Sequence, residues 1–444
     1  MHPVLNPPGL LARLGTWPPA RRYIVAYSGG LDSQVLLFML AGVRDALPGP
    51  IRAVHVDHGV QPQSPDWAHR CREQCDALDV PFALLHAAAG DTRHRNPEAR
   101  LRQLRYAAMS GCMENGERLL TAHHQDDQAE TMLLQLLRGA GPAGLAAMPS
   151  LKRFAGGWHG RPFLQTRRAE LARFADAAGL TWVEDPSNHD ERYDRNFIRH
   201  AVLPAVSGRW PAAAVLMGRA ADHQARTLSL LREFAAEDVR QCRGEPPGTM
   251  KLEALAALSR ARQDNALRCW LQELGLPLPT AAGLARIHDE VIGARADARP
   301  CLKWPGVEVR RYRGQLHAFP PMPEPDPRGE ISWQPLPDFR LQHGSLSASA
   351  MTGSGLCRAA VPAAGLTIRF RRGGERLRPT GARHERELKK VFQEAGIAPW
   401  LRPRIPLLFH GDVLAVVPGL WVKESLAVAG VEPGWRIEWR DDGG

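Results

Sequence analysis

Short apolar runs alternate with longer amphipathic stretches over roughly the first 200 residues, the spacing of strands joined by helices. Ile24, Val25 and Ala26 form one run of the kind a doubly covered parallel strand requires. Ile51–Val56 predicts a second strand ending in a polar turn, Pro81–His86 a third and Leu119–Ala122 a fourth. Helices are predicted from Asp32 onward and over Asp66–Leu78. A further one follows Asn96-Pro-Glu98, which supplies a cap residue, a proline at the first helical position and a first-turn acid. The resulting fold class is α/β, a doubly wound, mostly parallel sheet over residues 1–212.

Beyond residue 212 the pattern changes. Asp222–Arg240 predicts a long helix, and Leu267, Trp270, Leu271 and Leu274 fall at i, i+3, i+4 and i+7 on one helical face. With a short β element around Val307–Ala318, residues 213–320 read as a mainly helical domain. The proline-rich Phe319–Pro327 predicts extended chain, and residues 321–360 are expected to be a linker. Leu366–Arg371 alternates like a half-buried strand. Leu388, Val391, Phe392 and Ala395 make a helix stripe stopped near Gly396. Residues 361–444 are therefore expected to form a small α+β domain.

Composition narrows this picture. The 444 residues suffice for about two to four domains, and 44% hydrophobic with 23% charged residues is the balance of an ordinary globular chain. No apolar stretch has the length of a membrane span, and proline-punctuated Met1–Ala20 lacks a signal-peptide core. Seven scattered cysteines without a Cys-x-x-Cys pair point to a reducing cytoplasm, with neither structural zinc nor an iron–sulfur site. The net charge of +10 favours a polyanionic partner. That charge is concentrated: Leu366–Pro406 holds eleven Lys and Arg against four Asp and Glu, with Phe370 and Trp400 among them, a composition suited to an RNA backbone.

Candidate chemistry gathers where predicted strands end. Ser28-Gly29-Gly30-Leu31-Asp32-Ser33 links the first strand to a helix start, and such a turn offers free N–H groups and a positive dipole end to phosphate. No Gly-Lys-Ser/Thr follows, so it is not a Walker loop. Asp32 would be repelled by phosphates without a cation between them, so Mg²⁺ is expected on Asp32. Val54, His55 and Val56 end the second strand, where a nucleotide binds in open parallel sheets. His123-His-Gln-Asp-Asp-Gln-Ala-Glu-Thr131 ends the fourth, with Asp127 and Glu130 at i, i+3 on one helix face. Arg195 and Arg199 share a face of a later helix that Pro204 is expected to stop. On these residues alone that helix reads as solvated surface.

The glycine loop resembles that of the ATP pyrophosphatases, which implies cleavage between the α- and β-phosphates of ATP and a fold of the N-type ATP pyrophosphatase kind. The loop, the His123–Thr131 motif, Arg138-Gly-Ala-Gly-Pro-Ala-Gly-Leu145, Glu184-Asp-Pro-Ser-Asn188 and Arg195-Asn-Phe-Ile-Arg199 occur in this order. Together they resemble the tRNA(Ile)-lysidine synthetase family. So do Arg371–Pro379, Leu388-Lys-Lys390 and Pro399–Arg402 near the C-terminus. Asp57-His58-Gly59 departs mildly from the Asn-His-Gly of many relatives. The resemblance implies that ATP adenylates C2-O of the wobble cytidine in a tRNA(Ile) with a CAU anticodon, and that free L-lysine then displaces AMP. Asp32, Asp127, Glu130 and Arg195 would be catalytic. Asp127 and Glu130 would orient the lysine ammonium or take its proton, and Arg195 would contact AMP or tRNA. Two other readings are a tRNA thiolase built on the same loop and a non-catalytic RNA-binding protein. The oligomeric state stays open, a homodimer included.

Overall fold

The computed structural model describes residues 5–59, 63–87, 97–186, 190–295, 298–336, 338–378 and 383–442. The chain forms two compact units, Met1–Leu231 and Arg232–Gly444.

In the first unit, α1 (Pro7–Gly15) precedes β1 (Tyr23–Ala26) and α2 (Leu31–Ala41). Then come β2 (Ile51–Asp57), α3 (Ser64–Ala77), β3 (Phe82–His86), α4 (Pro97–Gly111), β4 (Arg118–Leu120) and α5 (Gln125–Leu137). The hairpin β5 (Leu151–Phe154) and β6 (Gly157–Gly160) and then α6 (Arg168–Ala177) follow. The sheet order is β3-β2-β1-β4-β6-β5. All pairings are parallel except β5 with β6. This is the doubly wound α/β sheet read from the apolar runs. The strand order reverses between β1 and β4, which opens a crevice at their carboxyl ends.

α2 is apolar on nearly every side because it is enclosed: Val35, Leu36, Leu37, Met39 and Leu40 are all buried. Its Phe38 meets Phe174 of α6 edge to face at 6.1 Å. Each such aliphatic side chain stabilises the fold by about 1.5–3 kcal/mol relative to exposure. Enclosure thus fixes the start of α2, and with it the glycine loop. Asn96, expected as a helix cap, lies outside the described residues.

Pro204 does not stop its helix. Helical turns run from Asp194–Phe197 through a π segment, Ile198–Val202, into Leu203–Arg209. Pro204 sits in the first turn of the last segment, where its missing N–H costs nothing.

The second unit has more β structure than its periodicity suggests. Met250–Lys251, Gln315–Phe319, Val307–Tyr312 and Cys301–Trp304 form an antiparallel sheet beside the helix Arg260–Glu273, whose Leu267, Trp270 and Leu271 are buried. The expected linker over 321–360 is overturned. Glu330–Trp333 pairs with Leu366–Arg369, and Gly344–Thr352 pairs with Pro433–Asp441 along its whole length. The pattern was missed because Gly344–Thr352 alternates small residues with polar ones. Leu346 and Ala348 are its main apolar anchors, and the partner strand lies some 90 residues away.

Candidate active site

The phosphate loop follows β1. Gly29 has φ +80°, and a Cβ there would lie 2.7 Å from the Cys71 Sγ beneath it, so both backbone and space demand glycine. Gly30 caps α2 with extended backbone and has ordinary room around it. No side chain caps α2, so its first N–H groups remain available to an anion. Ser33 Oγ donates to the Gly30 carbonyl at 2.9 Å and lies 3.0 Å from Ser28 Oγ, bracing the loop from within. Leu31 is buried. Asp32 lies in the first turn, with Oδ1 buried and unpartnered.

Across the crevice, β4 leads into His124, which caps α5. Its backbone N–H donates to Asp127 Oδ2 at 2.9 Å, and its Nδ1 accepts from the Asp127 N–H at 3.4 Å. His124 Nε2 lies 3.6 Å from Asp32 Oδ2 and 3.5 Å from Asp127 Oδ2. One imidazole therefore joins the phosphate loop to the acidic helix face. Burial alone would lower the His124 pKa. The carboxylates of Asp127, Asp32 and Asp126 outweigh it and hold the pKa above the ordinary histidine value.

Asp127 and Glu130 are both locked by arginines. Arg195 Nε donates to Glu130 Oε2 at 2.7 Å and its Nη2 to Asp127 Oδ1 at 2.9 Å. Arg199 Nε donates to Glu130 Oε1 at 2.6 Å, and its Nη2 lies 3.0 Å from both Asp127 Oδ1 and Glu130 Oε2. Glu130 is 1% exposed. Burial pushes the Asp127 carboxyl upward, but His124 and Arg195 outweigh it and hold it below the usual carboxylate range. Two acids and two guanidiniums thus form one nearly neutral, mostly buried cluster.

The structure brings Ser28, Gly29, Gly30, Leu31, Asp32, Ser33, Asp127, Glu130 and Arg195 to one rim. Val54 is 1% exposed, its side chain lies in the apolar core, and its carbonyl accepts from the Tyr27 N–H at 2.9 Å. Its side chain is therefore turned away from a nucleotide. His55 donates from Nδ1 to the Tyr27 carbonyl at 2.9 Å, and Val56 is half-buried beside Leu85 of β3. The Val183 N–H donates to the Gly29 carbonyl, which anchors the segment leading to Glu184 and Asp185. Ser187 and Asn188 lie outside the described residues.

Two central residues were not singled out from sequence, His124 and Arg199. The doubled histidine and the i, i+4 arginines were visible, but nothing local says that the arginine face meets acids some 70 residues earlier. The basic C-terminal stretch also changes meaning. Arg402 and Arg404 are buried, Arg404 on Asp441 at 2.7 Å, and Arg369, Arg371, Arg372 and Arg386 pair with acids of the same unit. Lys389 and Lys390 remain exposed.

Sheet order, glycine loop and carboxyl-end crevice define a nucleotide-cleaving enzyme of the PP-loop class, and residues 10–206 match the family model of the PP-loop domain. Residues 250–317 match the TilS substrate binding domain and residues 366–439 the TilS substrate C-terminal domain. The chain is 40% identical over 424 residues to the tRNA(Ile)-lysidine synthase of Methylococcus capsulatus, covering 95% of this chain and 97% of that one. It is 39% identical over 423 residues to the tRNA(Ile)-lysidine synthase of Escherichia coli O157:H7, with the same coverage. This chain belongs to the tRNA(Ile)-lysidine synthase family. A U34-tRNA thiolase from Methanococcus maripaludis shares 16% identity over 49% of this chain and 77% of that one, at a TM-score of 0.42, too distant to carry an argument.

Proposed function

We propose that this enzyme ligates free lysine to C2 of the wobble cytidine in tRNA(Ile) with a CAU anticodon, through an adenylated tRNA, releasing pyrophosphate and AMP. The carrying observation is the His124 bridge, 3.6 Å to Asp32 and 3.5 Å to Asp127, which sets the phosphate loop and the acidic cluster on one rim. ATP is held by the Ser28–Ser33 loop and the free N–H groups of α2, which favour the triphosphate and then the departing pyrophosphate. His55 and Val56 stand at the adenine end.

Mg²⁺ fits Asp32. Its Oδ1 is buried without a partner, and among the described residues no three His, Cys, Asp or Glu side chains form a metal cage. One carboxylate completed by phosphate oxygens and water is the coordination Mg²⁺ commonly adopts. When bound, the ion supplies charge neutralisation at the phosphates.

The second step needs a neutral amine, whereas free lysine carries a pKa of about 10.4. Asp127 and Glu130 receive the ammonium in exchange for one guanidinium, a cation-for-cation swap that keeps the cluster neutral. Arg195, once displaced, neutralises the AMP phosphate as it leaves. The acids then accept or relay the proton. Residues 1–212 carry the chemistry, and residues 213–320 and 361–444 bind tRNA. Lys389 and Lys390 are candidates for phosphate contacts.

Incubation with ATP, Mg²⁺, lysine and a tRNA(Ile) transcript tests the reading. Pyrophosphate should appear without lysine, and AMP only when all components are present. Sulfur incorporation would favour the thiolase reading, and salt-sensitive tRNA binding without AMP the non-catalytic one.

A further inference from the structure

Behind the cluster, a buried file of polar groups ends at His123. Arg161 Nη2 lies 3.2 Å from His159 Nδ1, and Thr121 Oγ1 lies 2.8 Å from His159 Nε2 and 2.7 Å from His123 Nδ1. A guanidinium can only donate, so His159 Nδ1 accepts and the ring proton sits on Nε2. That proton goes to Thr121 Oγ1. The single hydroxyl proton of Thr121 then goes to its other neighbour, His123 Nδ1. His123 consequently carries its own proton on Nε2. Each link follows from the one before, and the direction runs from Arg161 outward.

The file is shielded and pinned. His159 is 0% exposed, and Thr121 and Arg161 are also buried. The rings of Tyr106 and Phe154 lie 5.5 and 5.8 Å from that of His159, and Arg161 Nη1 donates to the Pro149 carbonyl at 2.8 Å. Burial leaves both imidazoles uncharged near neutrality, with His123 down at about 3 and His159 at about 2. His123 itself is partly exposed, just past the carboxyl end of β4, and its Nε2 bonds no described residue. Asp127, Arg195, Arg161 and Arg102 are the charged groups acting on it.

We infer that His123 is a preset, neutral Nε2–H donor to a phosphoryl oxygen of the nucleotide, and that Thr121, His159 and Arg161 are positioning residues that fix its tautomer. The assignment rests on the adenylation reading above. A donor aligned before the reaction needs no reorganisation as charge develops, and the strand-end crevice between β1 and β4 is where the phosphates of ATP sit in that reading. The position was part of the histidine pair noted in the sequence. Its tautomer became legible only through the chain behind it.

The test combines histidine ¹⁵N spectra of the full-length chain with steady-state pyrophosphate release. The spectra should show His123 and His159 protonated at Nε2 only, and the His123 Nε2–H signal should shift on adding pyrophosphate. Thr121→Val should scramble the His123 tautomer and lower kcat about tenfold, part of the roughly 10²–10³-fold that losing an oxyanion donor costs. Thr121→Ser should restore both, and KM for tRNA should stay within about twofold throughout. A His123 proton on Nδ1 in the unaltered chain overturns the inference. So does an unshifted signal with pyrophosphate, or equal kcat losses in the Val and Ser variants. The tautomer readings need no turnover, so loss of the lysidine reading would show separately, as absent AMP formation in a chain whose spectra match.

Discussion

Glu130→Gln removes one charge from the lock while keeping its shape. Glu130 accepts three hydrogen bonds, from Arg195 Nε and from Arg199 Nε and Nη2, at 2.7, 2.6 and 3.0 Å. The amide keeps one acceptor but turns an NH₂ toward a guanidinium, and Asp127 alone then faces two arginines. Breaking a buried ion pair costs about 3–5 kcal/mol, and the surviving acceptor brings the expectation to about 3 kcal/mol. For a unit of about 230 residues this corresponds to a Tm lower by about 10 °C. The chemical effect should divide between the steps. Lysine-independent pyrophosphate release should persist within a few-fold, while lysine-dependent AMP release falls by about 10²-fold or more. Quench-flow with labelled ATP, with and without lysine, separates them. Equal losses in both steps would refute the assignment of this acid to lysine, and an unchanged Tm would refute the energetic account of the lock.

Other outcomes follow from the same geometry. Asp32→Asn should lower Tm by no more than a few degrees, because Oδ1 has no partner to lose and Oδ2 gives up only its contact with His124, yet abolish Mg²⁺-dependent pyrophosphate release; retained release would remove the ion from Asp32. Gly29→Ala meets both the +80° φ and the Cys71 sulfur at 2.7 Å, so ATP affinity should fall, and adding Cys71→Gly should recover only the steric part. Below pH 6.5 the unfolded chain protonates His123 and His159 while the folded chain does so only near pH 3 and pH 2. Stability is therefore full above pH 6.5 and lost on acidification, by about 2 kcal/mol per histidine at pH 5. His124, shifted the other way, offsets part of this. Urea midpoints at pH 7 and pH 5 should show the loss, and His159→Gln should flatten it; an unaltered slope would contradict a neutral His159.

Sequence reading succeeded where one short segment carries its own physics. Ile24–Ala26 followed by paired glycines implies strand, turn and helix start without help from elsewhere, and the four strand-helix units imply a parallel sheet. It failed where meaning depended on a distant partner. Gly344–Thr352 looked like linker because its ladder is made with Pro433–Asp441. Arg195 and Arg199 looked solvated because their acids lie on α5, and much of the C-terminal positive charge is neutralised inside its own unit.

The sequence by itself determined the α/β class, the phosphate loop, the presence of Asp32, Asp127, Glu130 and Arg195, and the family. Those depend on residue type, order and local periodicity, which a linear chain displays. Tertiary structure alone decided that His124 spans from Asp32 to Asp127, that both acids are already held by arginines, that Val54 turns into the core and that His123 has a fixed proton. Ion pairs and tautomers are set by distance and burial, and neither is defined until the chain has closed on itself.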